Sequence, residues 1–158
     1  MSSDRVPITP DGFRKLQEEL SRLISVERPQ IIKMIEHARS LGDLSENAEY
    51  ETAKDRQGFI EARIHELKSK VARAEVIDPA QLPRKDRVMF GVRVTIEEIE
   101  TGNTTTYQLV GPDESEPENG KISVTSPIGR ALLGKREDDE VLVQTPSGIR
   151  EFVVLKIE

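Results

Sequence analysis

One heptad pattern, in residues 53–74, constrains the fold of this chain more than any other feature. Its positions recur at alternating steps of four and three residues: Ala53, Gln57, Ile60, Ile64, Leu67, Val71 and Ala74. This spacing predicts a long helix that packs one narrow face against another helix, as in a coiled coil. The pattern extends backwards through Tyr50 to Glu46, so we expect the helix to begin near there.

The partner helix is predicted upstream in the same chain. Thr9 and Pro10 are typical of a helix start, because Thr caps the first turn and a proline there loses no needed hydrogen bond. Apolar residues then recur at helical spacing until Gly42, a natural end signal. Pro29 lies inside this run and predicts a kink near the Ser25 carbonyl, which loses its partner. Two such helices form an antiparallel hairpin, whose arm of roughly 28 residues would span ~42 Å.

The C-terminal half carries strand signals instead. Apolar and β-branched residues alternate with polar ones, and Gly, Pro and Asn mark turns between the runs. We expect strands within residues 88–96, 105–109, 122–124, 141–143 and 149–157. Ser126 followed by Pro127 predicts the start of a short helix that ends near Gly134.

A linker separates the two halves near residue 80. Pro79 and Pro83 each push the preceding residue out of the helical region. We therefore predict a hairpin domain in residues 1–78, a linker in 79–83 and a second domain in 84–158. The predicted fold class is α+β, with a helical coiled-coil hairpin followed by a mostly antiparallel β domain that carries one short helix.

Composition excludes several kinds of site. The chain has 158 residues, no Cys and two His, which excludes disulfides, Cys-based zinc sites and multi-histidine metal sites. Its net charge of -6 argues against a protein that holds nucleic acid by itself, because phosphate contacts supply most of that affinity. With no apolar leader at the start and no apolar run of membrane-spanning length, we expect a soluble cytoplasmic protein without membrane contacts.

The predicted hairpin turn is rich in acids. Asp43 and Glu46 are three residues apart, so both carboxylates can project from the hairpin end. Mg²⁺ takes oxygen ligands and typically only one or two protein carboxylates, so this pair could complete a metal site that another protein half-builds. Spacing and charge alone favour a plainer interpretation, in which acids at a helix start cap the helix and complement its dipole.

Several side chains near the turn have two interpretations as well. Arg39, Lys54 and Arg56 could contact phosphates close to the acids. Spacing alone favours solvated faces or intrahelical pairs with neighbouring Glu residues. Tyr50 could help to position RNA, although packing at the end of the heptad face is the simpler expectation.

These residues resemble a known family. The stretches RPQII (28–32), ARSLGDLSENAEY (38–50), QGFIEARI (57–64) and ISVTSPI (122–128) are closely similar to the signature of the bacterial GreA/GreB transcript-cleavage factors. The resemblance covers nearly the whole chain. Within the family the acidic chain resembles the GreA branch more than the GreB branch, whose members are usually more basic on the hairpin.

The resemblance implies a fold and a function. It implies an FKBP-like C-terminal domain that docks on RNA polymerase at the rim of the secondary channel, through the neighbourhood of Ser126, Pro127 and Ile128. It implies that the hairpin tip reaches the polymerase active site, where Asp43 and Glu46 help to hold a second Mg²⁺. The polymerase then cleaves backtracked nascent RNA.

The resemblance also implies which residues contact RNA and that the polymerase, not this chain, catalyses the cleavage. It implies RNA contacts for Arg39 and Lys54. The chain would be a monomer without enzymatic activity of its own and without bound metal when isolated.

Two other functions remain open at this point. An FKBP-like domain suggests a peptidyl-prolyl isomerase, which needs an apolar, aromatic-lined pocket, and the C-terminal half offers only Phe90, Tyr107 and Phe152 for it. A purely structural or chaperone-like coiled coil would show no dependence on particular acids at the tip.

Overall fold

A computed structural model gives the fold and describes residues 5–43, 47–83 and 86–158. The chain forms two compact units, one made of Met1–Gly12 with Ala74–Glu158 and the other of Phe13–Arg73. The second unit is a helical hairpin and the first is built around a mixed β-sheet. This architecture confirms the predicted fold class of a helical hairpin followed by a mostly antiparallel sheet domain.

The first arm of the hairpin consists of helix α1 (Pro10–Arg22), a π-helical turn (Leu23–Glu27) and helix α2 (Arg28–Ser40). The predicted start is confirmed, because the Gly12 amide donates to the Thr9 hydroxyl over 3.1 Å. The arm is irregular where Pro29 predicts it, and the irregularity is the π-helical turn. There the Arg28 amide donates to the Leu23 carbonyl, five residues earlier.

The second arm is helix α3, Ala48–Arg73, and it confirms the predicted heptad face. Its buried side chains are Ala53, Ile60, Ile64 and Leu67. The first arm buries Leu16, Leu23, Ile31, Ile35 and Ala38. The helix is shorter than the heptad pattern at both ends, since it begins at Ala48 and since Ala74 belongs to a strand.

Ion pairs link the two arms in antiparallel order. Arg63 donates two hydrogen bonds of 2.8 Å to Glu19, and Arg28 donates two of 2.8 Å to Glu61. These hydrogen bonds hold the pKa of both carboxyl groups below their usual value. Each pair connects a turn of one arm to a turn of the other.

The described residues of the sheet unit form seven short strands. Strand β1 (Val6–Ile8) pairs in parallel with β2 (Ala74–Val76). The main sheet holds β3 (Arg93–Glu98), β4 (Thr104–Val110), β5 (Lys121–Ser123), β6 (Glu140–Thr145) and β7 (Gly148–Ile157) in the order β5-β4-β3-β7-β6. In this sheet β4 pairs in parallel with β5, and the other neighbours are antiparallel. Helix α4 (Pro127–Leu132) packs on this sheet, and Leu132 is fully buried in its core.

Residues 88–92 differ from the sequence prediction, which places them in a strand. Val88 and Val92 are buried as expected, but the main sheet begins only at Arg93. Gly91 has a left-handed φ of 86° and lies against Pro79, so the backbone turns instead of continuing a strand. The alternation marks which side chains are buried and not how the backbone is paired.

Pairing of β1 with β2 explains the composition of the two units. The Glu114 carboxylate also accepts hydrogen bonds from the amides of Thr9 (2.8 Å) and Gly111 (3.0 Å). Residues before α1 and directly after α3 therefore pack with the sheet, whereas the predicted division assigns them to the hairpin. The domain boundaries at residues 78 and 84 stay a prediction. Within the described ranges, no helix is both long and apolar enough to cross a bilayer.

Candidate functional site

The hairpin tip begins where helix α2 ends. The Leu41 amide donates to the Ala38 carbonyl over 3.2 Å and the Gly42 amide to the Arg39 carbonyl over 3.5 Å, which closes the last turn. Gly42 has a φ of 116°, a conformation that residues with a side chain rarely adopt, and helix α2 ends just before it as predicted. Asp43 follows directly and is exposed.

One of the two candidate acids lies within the described residues. Asp43 lies in the turn, and Glu46 lies outside the described residues. Helix α3 begins at Ala48, so Asp43 lies outside its first turn. The metal-binding role of the pair stays a prediction.

Asn47 caps helix α3, a role that our plainer interpretation gives to the acids. Its side-chain oxygen accepts a hydrogen bond of 3.1 Å from the Tyr50 amide, three residues later. Its side-chain nitrogen donates to the Ala38 carbonyl over 2.6 Å. A single amide thus caps one helix and binds the last turn of the other. The sequence signal is an Asn directly before the helix, but Asp43 offers a similar signal four residues earlier.

We expect Asn47→Ala to lower the free energy of unfolding of the hairpin by about 1–2 kcal/mol, because helix α3 loses its cap and the Ala38 carbonyl loses one of its two donors. Urea denaturation followed by circular dichroism at 222 nm measures this loss. Asn47→Asp is the matched control. Its carboxylate keeps the cap but cannot donate to Ala38, so an intermediate loss is expected. Equal stability of the Ala variant and the wild type would contradict the bridging role.

The other predicted tip residues lie on both arms. Arg39 is exposed in the last turn of α2, and Tyr50 is half-buried in the first turn of α3. Lys54 is exposed and donates to the Gln57 side chain over 3.1 Å. Arg56 pairs with Glu27 of the π-helical turn, with 3.6 Å between nitrogen and oxygen. Contacts of these four residues with RNA stay predictions.

The predicted docking residues lie in the sheet unit at the start of helix α4. The Ser126 hydroxyl accepts a hydrogen bond of 3.1 Å from the Gly129 amide and donates one of 2.6 Å to the Ser123 carbonyl. This cap confirms the predicted helix start. Pro127 and Ile128 line a cleft of about 410 Å³ between the helix and the sheet.

The cleft has an apolar floor and a charged rim. Ile96, Tyr107, Val143 and Phe152 contribute to its lining. At its rim Arg150 donates a hydrogen bond of 2.6 Å to Glu98 and lies 5.4 Å from the centre of the Phe152 ring. This hydrogen bond lowers the pKa of Glu98 and raises the pKa of Arg150. Sequence reasoning missed this pair, since only the antiparallel pairing of β3 with β7 brings the two residues together.

The described residues do not bring together enough side chains to bind a metal ion by themselves. Within residues 5–43, 47–83 and 86–158, no group of three or more His, Asp and Glu side chains could hold a metal ion. Asp43 contributes an exposed carboxylate, the kind of ligand that a hard cation such as Mg²⁺ prefers.

Known proteins similar to this chain cover nearly its whole length. Residues 6–76 match the family model "GreA_GreB_N: Transcription elongation factor, N-terminal", and residues 83–158 match "GreA_GreB: Transcription elongation factor, GreA/GreB, C-term". The chain is 54% identical to transcription elongation factor GreA of Syntrophotalea carbinolica, with 98% of each chain covered. It is 56% identical to GreA of Desulfotalea psychrophila, covering 98% of this chain and 96% of the relative.

A solved structure is similar over the same length. The crystal structure of GreA factor homolog 1 (Gfh1) from Thermus thermophilus is 30% identical and matches 98% of this chain and 99% of its own, with a TM-score of 0.45. The family assignment depends on the two family models and on the identity to curated relatives. On that evidence, the chain belongs to the GreA/GreB family of transcription elongation factors.

Proposed function

We propose that this chain binds RNA polymerase, inserts its hairpin through the secondary channel and stimulates the polymerase's own Mg²⁺-dependent cleavage of backtracked nascent RNA, which rescues arrested complexes. The chain would act in the bacterial cytoplasm, as a monomer and without enzymatic activity of its own. One observation supports the proposal most: Asp43 is exposed directly after the turn that ends α2, at one end of a two-helix arm. A carboxylate placed there can reach a site that belongs to another protein.

The residues of the tip fit a shared metal ion. Mg²⁺ usually keeps several waters and takes one or two protein carboxylates together with phosphate oxygens. Asp43 and Glu46 would hold it jointly with groups of the polymerase. When bound there, the ion supplies charge neutralisation and an activated water for displacement at phosphorus.

The chain itself contributes the position of these carboxylates. The closed last turn of α2 and the Asn47 bridge hold the two ends of the tip segment together. Arg39, Lys54, Arg56 and Tyr50 would contact the RNA near the cleavage site. The role of the arm is therefore to deliver and orient ligands, and the polymerase performs the cleavage.

The cleft beside α4 is the docking surface in this proposal. Apolar side chains form its floor and the Arg150–Glu98 pair stands at its rim, and many protein interfaces combine an apolar centre with a polar rim in this way. Pro127 is exposed at the first helical position and Ile128 is half-buried beside it. An apolar side chain of the polymerase would enter the cleft between them.

We expect Ile128→Ala to raise the concentration needed for half-maximal RNA cleavage about tenfold, because truncation removes apolar contact from the docking cleft. The maximal rate at saturating concentration should change less than twofold, since docking is separate from the chemistry at the tip. Titration of the variant into stalled transcription complexes measures both quantities. Leu142→Ala is the matched control, because Leu142 is 63% exposed and does not line the cleft. A fall in maximal rate with unchanged half-maximal concentration would contradict the assigned role.

The decisive experiment uses backtracked transcription complexes with labelled RNA. Purified chain should accelerate the release of a 3′ RNA fragment in the presence of Mg²⁺ and should cleave no free RNA without polymerase. Robust cleavage of free RNA, or no acceleration in the complex, would overturn the proposal.

A further inference from the structure

The cap of helix α1 is completed by a carboxylate from a distant part of the chain. Glu114 ends a 3₁₀-helical turn (Pro112–Glu114) that follows β4. Its side chain accepts hydrogen bonds from the Thr9 amide over 2.8 Å and from the Thr9 hydroxyl over 2.5 Å. It also accepts one of 3.0 Å from the Gly111 amide. Thr9, which caps the first turn of α1, is therefore bound to a residue 105 positions later in the sequence.

Gly12 makes room for this carboxylate. In the common capping box, a Glu or Gln three residues after the capping residue accepts a hydrogen bond from the amide of that residue. This chain has Gly12 at the position, so no local side chain can do so. A Cβ atom added to Gly12 would overlap the Glu114 carboxylate, and the backbone of Gly12 is not left-handed. Glu114 thus takes the place of the local capping side chain, and its close approach explains the glycine.

Gly111 allows a second close approach beside the first. Its φ of -76° is accessible to any residue, so its conformation does not require a glycine. A Cβ atom added there would overlap the carbonyl oxygen of Pro7 in β1. The backbone of β1 and the turn after β4 are therefore packed directly against each other.

These contacts join two sheets that share no ladder among the described residues. Strands β1 and β2 form a sheet of their own, apart from the five-stranded sheet. Strand β1 leads into α1, and β2 directly follows α3. Glu114 connects this small sheet and the start of α1 with the turn after β4 of the main sheet. All of these contacts lie within the sheet unit, to which the first residues of α1 belong.

A local capping side chain would satisfy the Thr9 amide without connecting it to anything else. The capping box needs only residues of the helix and the residue before it. A carboxylate from the turn after β4 satisfies the same amide and also restricts the first turn of α1 with respect to the main sheet. The additional effect of Glu114 is therefore on the direction of the helix.

Small changes of direction at the start of the arm become large at its end. From Pro10 to Ser40 the first arm is ~45 Å long at the helical rise. A rotation of ~10° at Pro10 would therefore move the far end by ~8 Å. A misplacement of ~1 Å between reacting groups can already lower a rate by about 100-fold. Contacts that restrict the first turn of α1 thus affect where the Asp43 carboxylate lies.

We infer that Glu114 is a positioning residue for the proposed reaction: it restricts the direction of helix α1 so that Asp43 can reach the polymerase active site while the cleft beside α4 is docked. The inference depends on the proposed function, because that function requires the tip and the cleft to be engaged together. Glu114 itself contacts neither RNA nor metal in this role. Its replacement should therefore affect the maximal cleavage rate and not the docking.

Cleavage titrations in stalled transcription complexes test this role. We expect Glu114→Ala to lower the maximal rate roughly 5–20-fold, because a docked chain with a less restricted arm places Asp43 correctly for a smaller part of the time. The half-maximal concentration should stay within twofold of the wild type. Glu118→Ala is the matched control, because it removes an exposed carboxylate four residues later. A raised half-maximal concentration with an unchanged maximal rate, or titrations equal to the wild type, would overturn the inference.

Two conservative substitutions separate geometry from charge. Glu114→Gln keeps the length of the side chain, so its oxygen can accept from the Thr9 and Gly111 amides and its nitrogen can donate to the Thr9 hydroxyl. We expect this variant to keep at least half of the wild-type maximal rate. Glu114→Asp keeps the charge but is one methylene shorter, and it should be nearly as slow as Glu114→Ala. A slow Gln variant beside a fast Asp variant would contradict a role based on hydrogen-bond geometry.

Pulsed electron spin resonance tests the positioning without polymerase. The chain has no Cys, so nitroxide labels can be attached at two introduced cysteines. Glu36→Cys in α2 and Thr104→Cys in β4 suit this purpose, because both side chains are exposed and neither belongs to a proposed binding surface. We expect Glu114→Ala to broaden the distribution of label-to-label distances at least twofold, and Glu114→Gln and Glu118→Ala to leave its width unchanged. An unchanged width in Glu114→Ala would overturn the inference.

The two measurements distinguish this inference from the proposed function. If the wild-type chain fails to stimulate cleavage, the proposed function is wrong, and the distance distributions still show whether Glu114 restricts the arm. A broadened distribution with unaltered cleavage would overturn the positioning role and leave the proposed function intact. The melting temperature of Glu114→Ala should fall by only about 2–5 °C, because one cap is lost, so both measurements are made on folded protein.

Discussion

Asp43→Asn should reduce stimulated RNA cleavage by at least about 100-fold while polymerase binding is retained. A neutral amide is a poor ligand for Mg²⁺ compared with a carboxylate, and loss of even outer-shell groups around a metal site costs roughly 10–100-fold. Glu46→Gln should act similarly, and the double variant should be little worse than either single one, because in the proposed site the two carboxylates would hold one ion. Cleavage of labelled RNA in stalled complexes, measured at saturating protein, gives these rates.

The control for this prediction is Glu51→Gln. Glu51 is an exposed carboxylate in the first turn of α3, so its replacement removes the same charge close to the tip. We expect at most a threefold change, which is typical of a long-range charge effect screened by salt. Equal losses for Asp43→Asn and Glu51→Gln would mean that net charge at the tip matters and that no particular acid binds metal. Unchanged cleavage by Asp43→Asn would sink the proposed role of the tip.

Leu67→Ala should destabilise the hairpin by about 3 kcal/mol. Leu67 is fully buried, and truncating a buried Leu costs 2–5 kcal/mol in lost transfer energy and cavity formation. A two-helix arm buries few side chains, so neighbours cannot compensate for the loss. Urea denaturation followed at 222 nm should show a lower midpoint, and cleavage should fall at temperatures where the arm begins to unfold.

Leu41→Ala is the matched control for Leu67→Ala. Leu41 is 55% exposed at the tip, so the same truncation there should cost less than ~1 kcal/mol. Competition against labelled wild type should show that Leu67→Ala still binds polymerase through the cleft beside α4. Equal destabilisation by the two substitutions would contradict the view that the apolar seam holds the arms together.

Periodicity made the hairpin predictable, because apolar residues at alternating steps of four and three are typical of a helix that packs along one narrow face. Ile60, Ile64 and Leu67 are buried as the pattern requires. The cap of α3 was harder to predict, since Asp43 and Asn47 are both good capping residues. Only the geometry shows that Asn47 reaches both Tyr50 and Ala38.

The sheet unit was predictable in its elements and less so in their arrangement. The alternating pattern correctly predicts that the side chains of Val88 and Val92 are buried. It does not predict the backbone conformation, because the chain turns at Gly91 instead of forming a strand. The Glu98–Arg150 pair depends on the neighbouring positions of β3 and β7, and no local signal gives strand order. The roles of the tip acids came from family resemblance, because spacing alone favours a cap.

The π-helical turn determines the direction in which the tip faces. Leu23 and Ile31 are both buried against α3, yet they are eight residues apart, one more than a heptad. In an uninterrupted α-helix one extra residue would rotate everything beyond it by ~100° around the arm axis. The wider turn at Leu23–Glu27 absorbs that residue, so α2 stays in phase with α3. The direction in which Asp43 points around the helix axis therefore depends on the π-helical turn, which lies beside Pro29 and begins twenty residues earlier in the sequence.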